Sequence, residues 1–184
     1  MVVNSLLALS PQFTQSKEPD WRAMLSRTDY RVPLFWVDWL ADAGSLTGRL
    51  LQASNGDLKV KVVSQRLAVP TLSERCMLGL KEKRCAMIRE VVLYGAGQPW
   101  VYARSILPLA TLTGRLRKLR RLDSRPLGAL LFSDPTMRRE PVQFTSFHSN
   151  AGRPIWGRRS VFRLDNKPLL VAEFFLPTFK PLTP

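Results

Sequence analysis

The 184-residue chain is 45% hydrophobic and 23% charged, a balance that fits one well-buried globular core and leaves little room for a second. No apolar run approaches the roughly 20 residues that span a bilayer, and one histidine (His148) with two cysteines (Cys76, Cys85) outside any metal-motif spacing argues against a zinc centre or a Ser/His/Asp triad. The formal charge of +14 calls for an anionic partner: nucleic acid, an acidic membrane surface or a small polycarboxylate.

Residues 1–30 show no sustained period and read as an N-terminal arm. Its apolar "SLLALS" is too short for a signal peptide and lacks the basic flank, so a cytoplasmic protein is expected. One domain, 31–184, is expected to follow. "PLFWVDWLADAG", Pro33 to Gly44, sets Leu34, Val37 and Leu40 on one helical face and stops at a glycine. "SLTGRLLQ" reads as a second short helix capped by Ser45. From Asp57, "DLKVKVV" alternates as a strand, and a proline-containing connection is expected over Val69 to Leu80. "AMIREVVLY" and "WVYARSILP" form a hairpin through "GAGQP". The basic stretch Leu109 to Leu122 repeats leucine at 109, 112, 116 and 119, so its arginines and lysines read as the solvated face of an amphipathic helix rather than a nucleic-acid site. "SRPLGALLF" opens another helix, with Pro126 suited to the first turn. A second hairpin, "WGRRSVFRL" and "PLLVAEFFL", turns at "DNK". The pattern predicts an α+β fold: one antiparallel sheet with peripheral helices.

Two charges interrupt the apolar faces. In "PLLVAEFFLP", Glu173 shares a strand face with Val171 and Phe175, and in "MIREVVL", Arg89 shares one with Met87, Val91 and Leu93, while Glu90 lies on the opposite face. An unpaired carboxylate in apolar surroundings is costly, so Glu173 either faces water at a sheet edge or has a purpose inside. A buried Arg89–Glu173 ion pair is one arrangement. A cavity that takes a ligand with a carboxylate at one end, for the planar fork of Arg89, and a hydroxyl at the other is the second. The residues alone leave these open.

"DWLADAGSLTGRL", "MIREVVL", "GQPWVYARSILP", "RPLGALLF", "WGRRSVFRL" and "KPLLVAEFFLP", in this order, resemble the chorismate pyruvate-lyases of bacterial ubiquinone biosynthesis, from about Trp36 to Pro177. The chain departs from the family in the arm, in a longer "SFHSNAGRPI" that contains His148, and in the tail. The resemblance implies an internal pocket under flaps and conversion of chorismate to 4-hydroxybenzoate and pyruvate without cofactor or metal. It implies a monomer, with no obligatory nucleic-acid partner. Matched position by position, it assigns catalysis to Arg89 and Glu173. Substrate would be bound by Arg89 at the ring carboxylate, Glu173 at the 4-hydroxyl, and Leu46 and Leu127 through backbone amides. The family often has methionine where Leu46 stands. Both leucines follow predicted helix starts, where amides are free donors. Arg104, Arg158 and Arg159 are candidates for the pyruvyl carboxylate. Two other readings stay in view: a non-catalytic domain of this fold that senses a small aromatic acid, and a basic protein binding RNA or a membrane surface through Gly114 to Arg125.

Overall fold

Two tight hairpins organise the chain, seen here in a computed structural model that describes residues 18–23, 31–149 and 152–180. Most of the expected N-terminal arm, residues 1–17 and 24–30, lies outside the described residues. In chain order the elements are β1 (Arg22–Ala23), α1 (Leu34–Leu40), α2 (Leu46–Ala53), β2 (Leu58–Ala68), α3 (Leu72–Leu78), β3 (Ala86–Gly95), β4 (Gln98–Pro108), a 3-10 helix (Gly114–Arg121), α4 (Leu127–Ser133), β5 (Arg138–Arg139), β6 (Gln143–His148), β7 (Pro154–Leu164) and β8 (Lys167–Phe175). Ala96 and Gly97, with φ of 48° and 72°, turn β3 into β4, and Asp165 and Asn166, with φ of 49° and 60°, turn β7 into β8. Left-handed conformation at both central residues marks type I′ turns, whose twist matches that of the strands they join.

The strands form one antiparallel sheet in the order β1-β6-β7-β8-β4-β3-β2, with β5 pairing to β7. The expected α+β domain on an antiparallel sheet is therefore what the chain forms. β8 lies between β7 and β4, which removes the sheet-edge explanation for Glu173.

Side-chain alternation divides the core between two faces. On the first, two helical hairpins stand side by side. α1 and α2 pack Trp36, Trp39, Leu40 and Leu50 against Val91, Leu93, Val101 and Phe175. The 3-10 helix and α4 pack Leu116, Leu119, Leu127 and Leu131 against Met87, Leu107, Phe162 and Leu169. On the second face α3 contributes Leu78 to a cluster with Ile88, Ile106, Val161 and Leu170. Each such fully buried aliphatic contributes about 1.5–3 kcal/mol against leaving it in water, so each hairpin is held by several anchors.

Local expectations fail in three places. The connection expected over Val69 to Leu80 contains α3, opened by a capping box in which Thr71 and Glu74 satisfy each other's backbone amides. The basic stretch turns its charges outward and its leucines inward as expected, but from Gly114 and as a 3-10 helix, because the buried leucines 116, 119 and 122 recur every third residue, the 3-10 period; Leu109 is exposed. In α1, Leu34 is 82% exposed, and Trp36, Val37, Trp39 and Leu40 make the inner face instead. Cys76 and Cys85 are free and exposed. No helix among the described residues is long and apolar enough to cross a membrane.

Candidate active site

The two charges that interrupt the apolar strands lie on the first face, at the seam between the helical hairpins. Strand register sets Arg89 of β3 opposite Ser105 of β4, and Ser105 opposite Val171 of β8. Glu173 is two residues further along β8, opposite Ala103, which faces Val91 in turn. An offset of two strands and two residues puts the Cα positions of Arg89 and Glu173 on the order of 12 Å apart. Between them lies a cavity of two adjoining lobes that share Thr47, Gly128, Val171 and Glu173. Arg89, Ser105 and Leu127 line one lobe, and Leu46, Arg139, Arg158 and Phe162 line the other. Leu46, Arg89, Leu127 and Glu173, singled out in the sequence, thus border one space.

Arg89 is 1% exposed and makes no ion pair with a described residue. Its Nη2 donates to the carbonyls of Asp123 (2.6 Å) and Arg125 (3.3 Å) in the loop between the 3-10 helix and α4. Its buried Nε has no hydrogen-bond partner among the described residues. Burial lowers the Arg89 pKa, with Asp123 opposing. A buried guanidinium with an idle N–H is costly unless an acceptor arrives.

Glu173 is not paired with Arg89. Its Oε2 accepts 2.8 Å from Nε of Arg158, directly across on β7. Arg158, also 1% exposed, donates through Nη1 to the carbonyls of Trp39 (2.8 Å) and Asp42 (3.0 Å) where α1 ends. The ion pair therefore ties the α1–α2 hairpin to the sheet and presents Oε1 of Glu173, unpartnered among the described residues, at the cavity.

Leu46 and Leu127 are the first residues of α2 and α4, so neither amide has a partner within its own helix. Ser45 caps α2 as expected, accepting from the Gly48 amide at 3.2 Å. The two helix starts meet closely: a Cβ on Gly128 would stand 2.7 Å from Oγ1 of Thr47, so a larger residue there would push the hairpins apart.

Of the arginines considered for a second carboxylate, only Arg158 borders this cavity. Arg104 and Arg159 alternate to the opposite face, which corrects that expectation. There Arg104 bridges Glu74 (2.8 Å) and Glu90 (2.9 Å), and Tyr102 donates to Glu90 at 2.6 Å. Burial would raise the Glu90 pKa, but the bonds from Tyr102, Arg104 and Arg66 outweigh it and leave the pKa below the usual range. Arg159 donates to Gln143 and Ser73 and lies over the Trp21 ring. Arg139 escaped the sequence reading. It comes from a two-residue strand, too short for any period, and is recognisable only once β5 pairs with β7. Among the described residues no cluster of three His, Cys, Asp or Glu could hold a metal ion.

The family model described as "Chorismate lyase" matches residues 21–181. Among curated proteins, the chain is 42% identical over 163 residues to a "Probable chorismate pyruvate-lyase" of Aromatoleum aromaticum, covering 80% of this chain and 88% of that one. It is 41% identical over 150 residues to the protein so named in Methylococcus capsulatus, covering 76% and 93%. Among solved structures, the effector domain of PhnF from Mycobacterium smegmatis superposes with a TM-score of 0.57 at 17% identity, covering 77% of this chain and 95% of that one. The C-terminal domain of the histidine utilization repressor from Pseudomonas syringae pv. tomato gives 0.56 at 11% identity, covering 69% and 96%. At these identities the likeness is one of fold.

Proposed function

Since the chain belongs to the chorismate lyase family, a family of carbon–oxygen lyases, we propose that it eliminates pyruvate from chorismate to give 4-hydroxybenzoate for ubiquinone biosynthesis. The observation that carries this reading is the unpartnered, buried Nε of Arg89 on a cavity whose other end presents Glu173. The ring carboxylate accepts from Arg89 and the Leu127 amide, which line the same lobe, and from the Leu46 amide, which reaches in from the adjoining lobe, and the 4-hydroxyl meets Glu173. The ether bond at the ring carbon beside the hydroxyl-bearing one breaks. The hydroxyl-bearing carbon loses its proton, the electron pair of that C–H bond completes the aromatic ring, and enolpyruvate departs with the electron pair of the C–O bond and takes up one proton at its methylene carbon to become pyruvate.

Aromatisation supplies the driving force, so the protein has to orient the substrate and keep charge in fixed positions. Arg89 is already braced by two carbonyls, and Glu173 by Arg158, so neither has to be organised during the reaction. The chemistry asks for no cofactor. Purified protein given chorismate alone is expected to release 4-hydroxybenzoate and pyruvate in equal amounts, at a rate that chelators leave unchanged. Saturable binding of 4-hydroxybenzoate with no pyruvate release would instead favour a non-catalytic ligand-sensing domain.

A further inference from the structure

The cavity carries more positive charge than a ring carboxylate and a hydroxyl can use. Its charged lining consists of Arg89, Arg139 and Arg158 against Glu173 alone. Arg158 has its acid in Glu173. Arg139 has none: Nε donates to the Ser160 hydroxyl (3.0 Å) and Nη1 to the Asp42 carbonyl (2.9 Å), both neutral acceptors. Its Nη2 is without a partner among the described residues. The Phe162 ring lies 5.1 Å from its guanidinium carbon and fixes the plane of the fork. Burial, then the neighbouring charge of Arg158, push the Arg139 pKa down to about 10, with Glu173 and Asp42 opposing. It stays charged at neutral pH, yet is held where charge is disfavoured until an anion arrives.

We propose that Arg139 binds the carboxylate of the leaving group, the enolpyruvyl carboxylate of chorismate. This rests on reading the cavity as a chorismate site. The ether oxygen is on the ring carbon beside the one that bears the hydroxyl. With the hydroxyl at Glu173, which both lobes share, and the ring carboxylate at Arg89 in one lobe, the enolpyruvyl arm turns into the other lobe, the one lined by Arg139 and Arg158. Charge agrees: three guanidiniums and one carboxylate leave an excess of two, and chorismate brings two carboxylates. Once the carbon–oxygen bond breaks, that second carboxylate leaves with enolpyruvate. 4-Hydroxybenzoate therefore makes no use of Arg139.

This difference between substrate and product is the test. Steady-state turnover of chorismate and calorimetric binding of 4-hydroxybenzoate are measured for wild type, Arg139→Gln, Arg139→Lys and Arg89→Gln. For Arg139→Gln, kcat/KM should fall about 10- to 100-fold, chiefly through KM, as expected for one charge-assisted bond, while product affinity changes less than about threefold. Arg139→Lys should recover part of the loss, and Arg89→Gln should weaken substrate and product together. Intact product binding shows that a variant is folded. If Arg139→Gln weakens product as much as substrate, Arg139 only shapes the cavity through Asp42, and the proposal falls. Unchanged kcat/KM overturns it as well. If wild type itself leaves chorismate intact, the reading of the cavity fails first, before any variant is compared.

Discussion

At the scale of single residues, the roles of Arg89 and Glu173 separate from those of charges that are merely near. Arg89→Ala removes a buried guanidinium from its acceptors, a change worth about 2–5 kcal/mol by comparison with buried charge pairs at interfaces. Arg117→Ala and Lys118→Ala remove exposed side chains of the 3-10 helix and should leave kcat/KM near wild type. Equal, modest losses in all three variants would point to diffuse attraction rather than a clamp. Glu173→Ala should impair turnover and product binding, and it frees Arg158 as well. Glu173→Gln keeps shape and hydrogen bonding but cannot take up the departing proton. Product binding preserved with turnover near that of the alanine variant would make Glu173 the proton acceptor, and near-wild-type turnover would mean that positioning suffices. Both candidate residues were legible in the sequence because each breaks an alternating apolar strand. The partner of Glu173 was not, since Arg158 and Arg159 are adjacent in "GRRS" and only the register of β7 decides which one faces the cavity.

At the scale of elements, the helical hairpins both complete the cavity and obstruct it. α1–α2 is tied down by the carbonyls that hold Arg158, and the loop before α4 by those that hold Arg89, so ligand and cover share their anchors. On the proposed reading, a planar product held between Arg89 and Glu173 leaves when a hairpin lifts. Progress curves should bend early, and added 4-hydroxybenzoate should inhibit competitively at concentrations comparable to substrate. Weak product inhibition would show that the cover opens freely. On the opposite face the capping box of α3 puts Glu74 against Arg104, so Thr71→Ala should cost about 1 kcal/mol in urea denaturation without changing KM. Hairpins were readable because alternation and turn residues are local signals. α3 was hidden by its brevity and its exposed Leu72, although "TLSE" carries the capping-box spacing. β6 was hidden because it takes its place only by pairing with β7 and β1.

At the scale of the whole molecule, the charge of +14 acts at two distances. On the proposed reading the arginines of the cavity act by contact, and the exposed Arg117, Lys118, Arg120 and Arg121 of the 3-10 helix by their field. A dianionic substrate steered by that field should show kcat/KM falling with added salt while kcat holds steady. Flat kcat/KM would confine the electrostatics to the cavity. Acid should also unfold the protein. Glu90, Asp134 and Asp165 all have pKa values below the usual carboxylate range. Their stabilisation is therefore complete at neutral pH and is lost as pH falls through those lowered values. The melting temperature should be level near neutrality and drop steeply in acid. Glu90→Gln, which breaks the buried bond to Arg104, should be less stable at neutral pH and lose part of that dependence.

The location of the ligand decides most. A crystal structure of the protein with 4-hydroxybenzoate should show the ring in the cavity on the first sheet face. Its carboxylate should accept from Arg89 and the amides of Leu46 and Leu127, and its hydroxyl should lie at Glu173. Product bound in the reverse orientation, or on the opposite face beside Arg159 and Trp21, would contradict the assignment of this cavity as the active site.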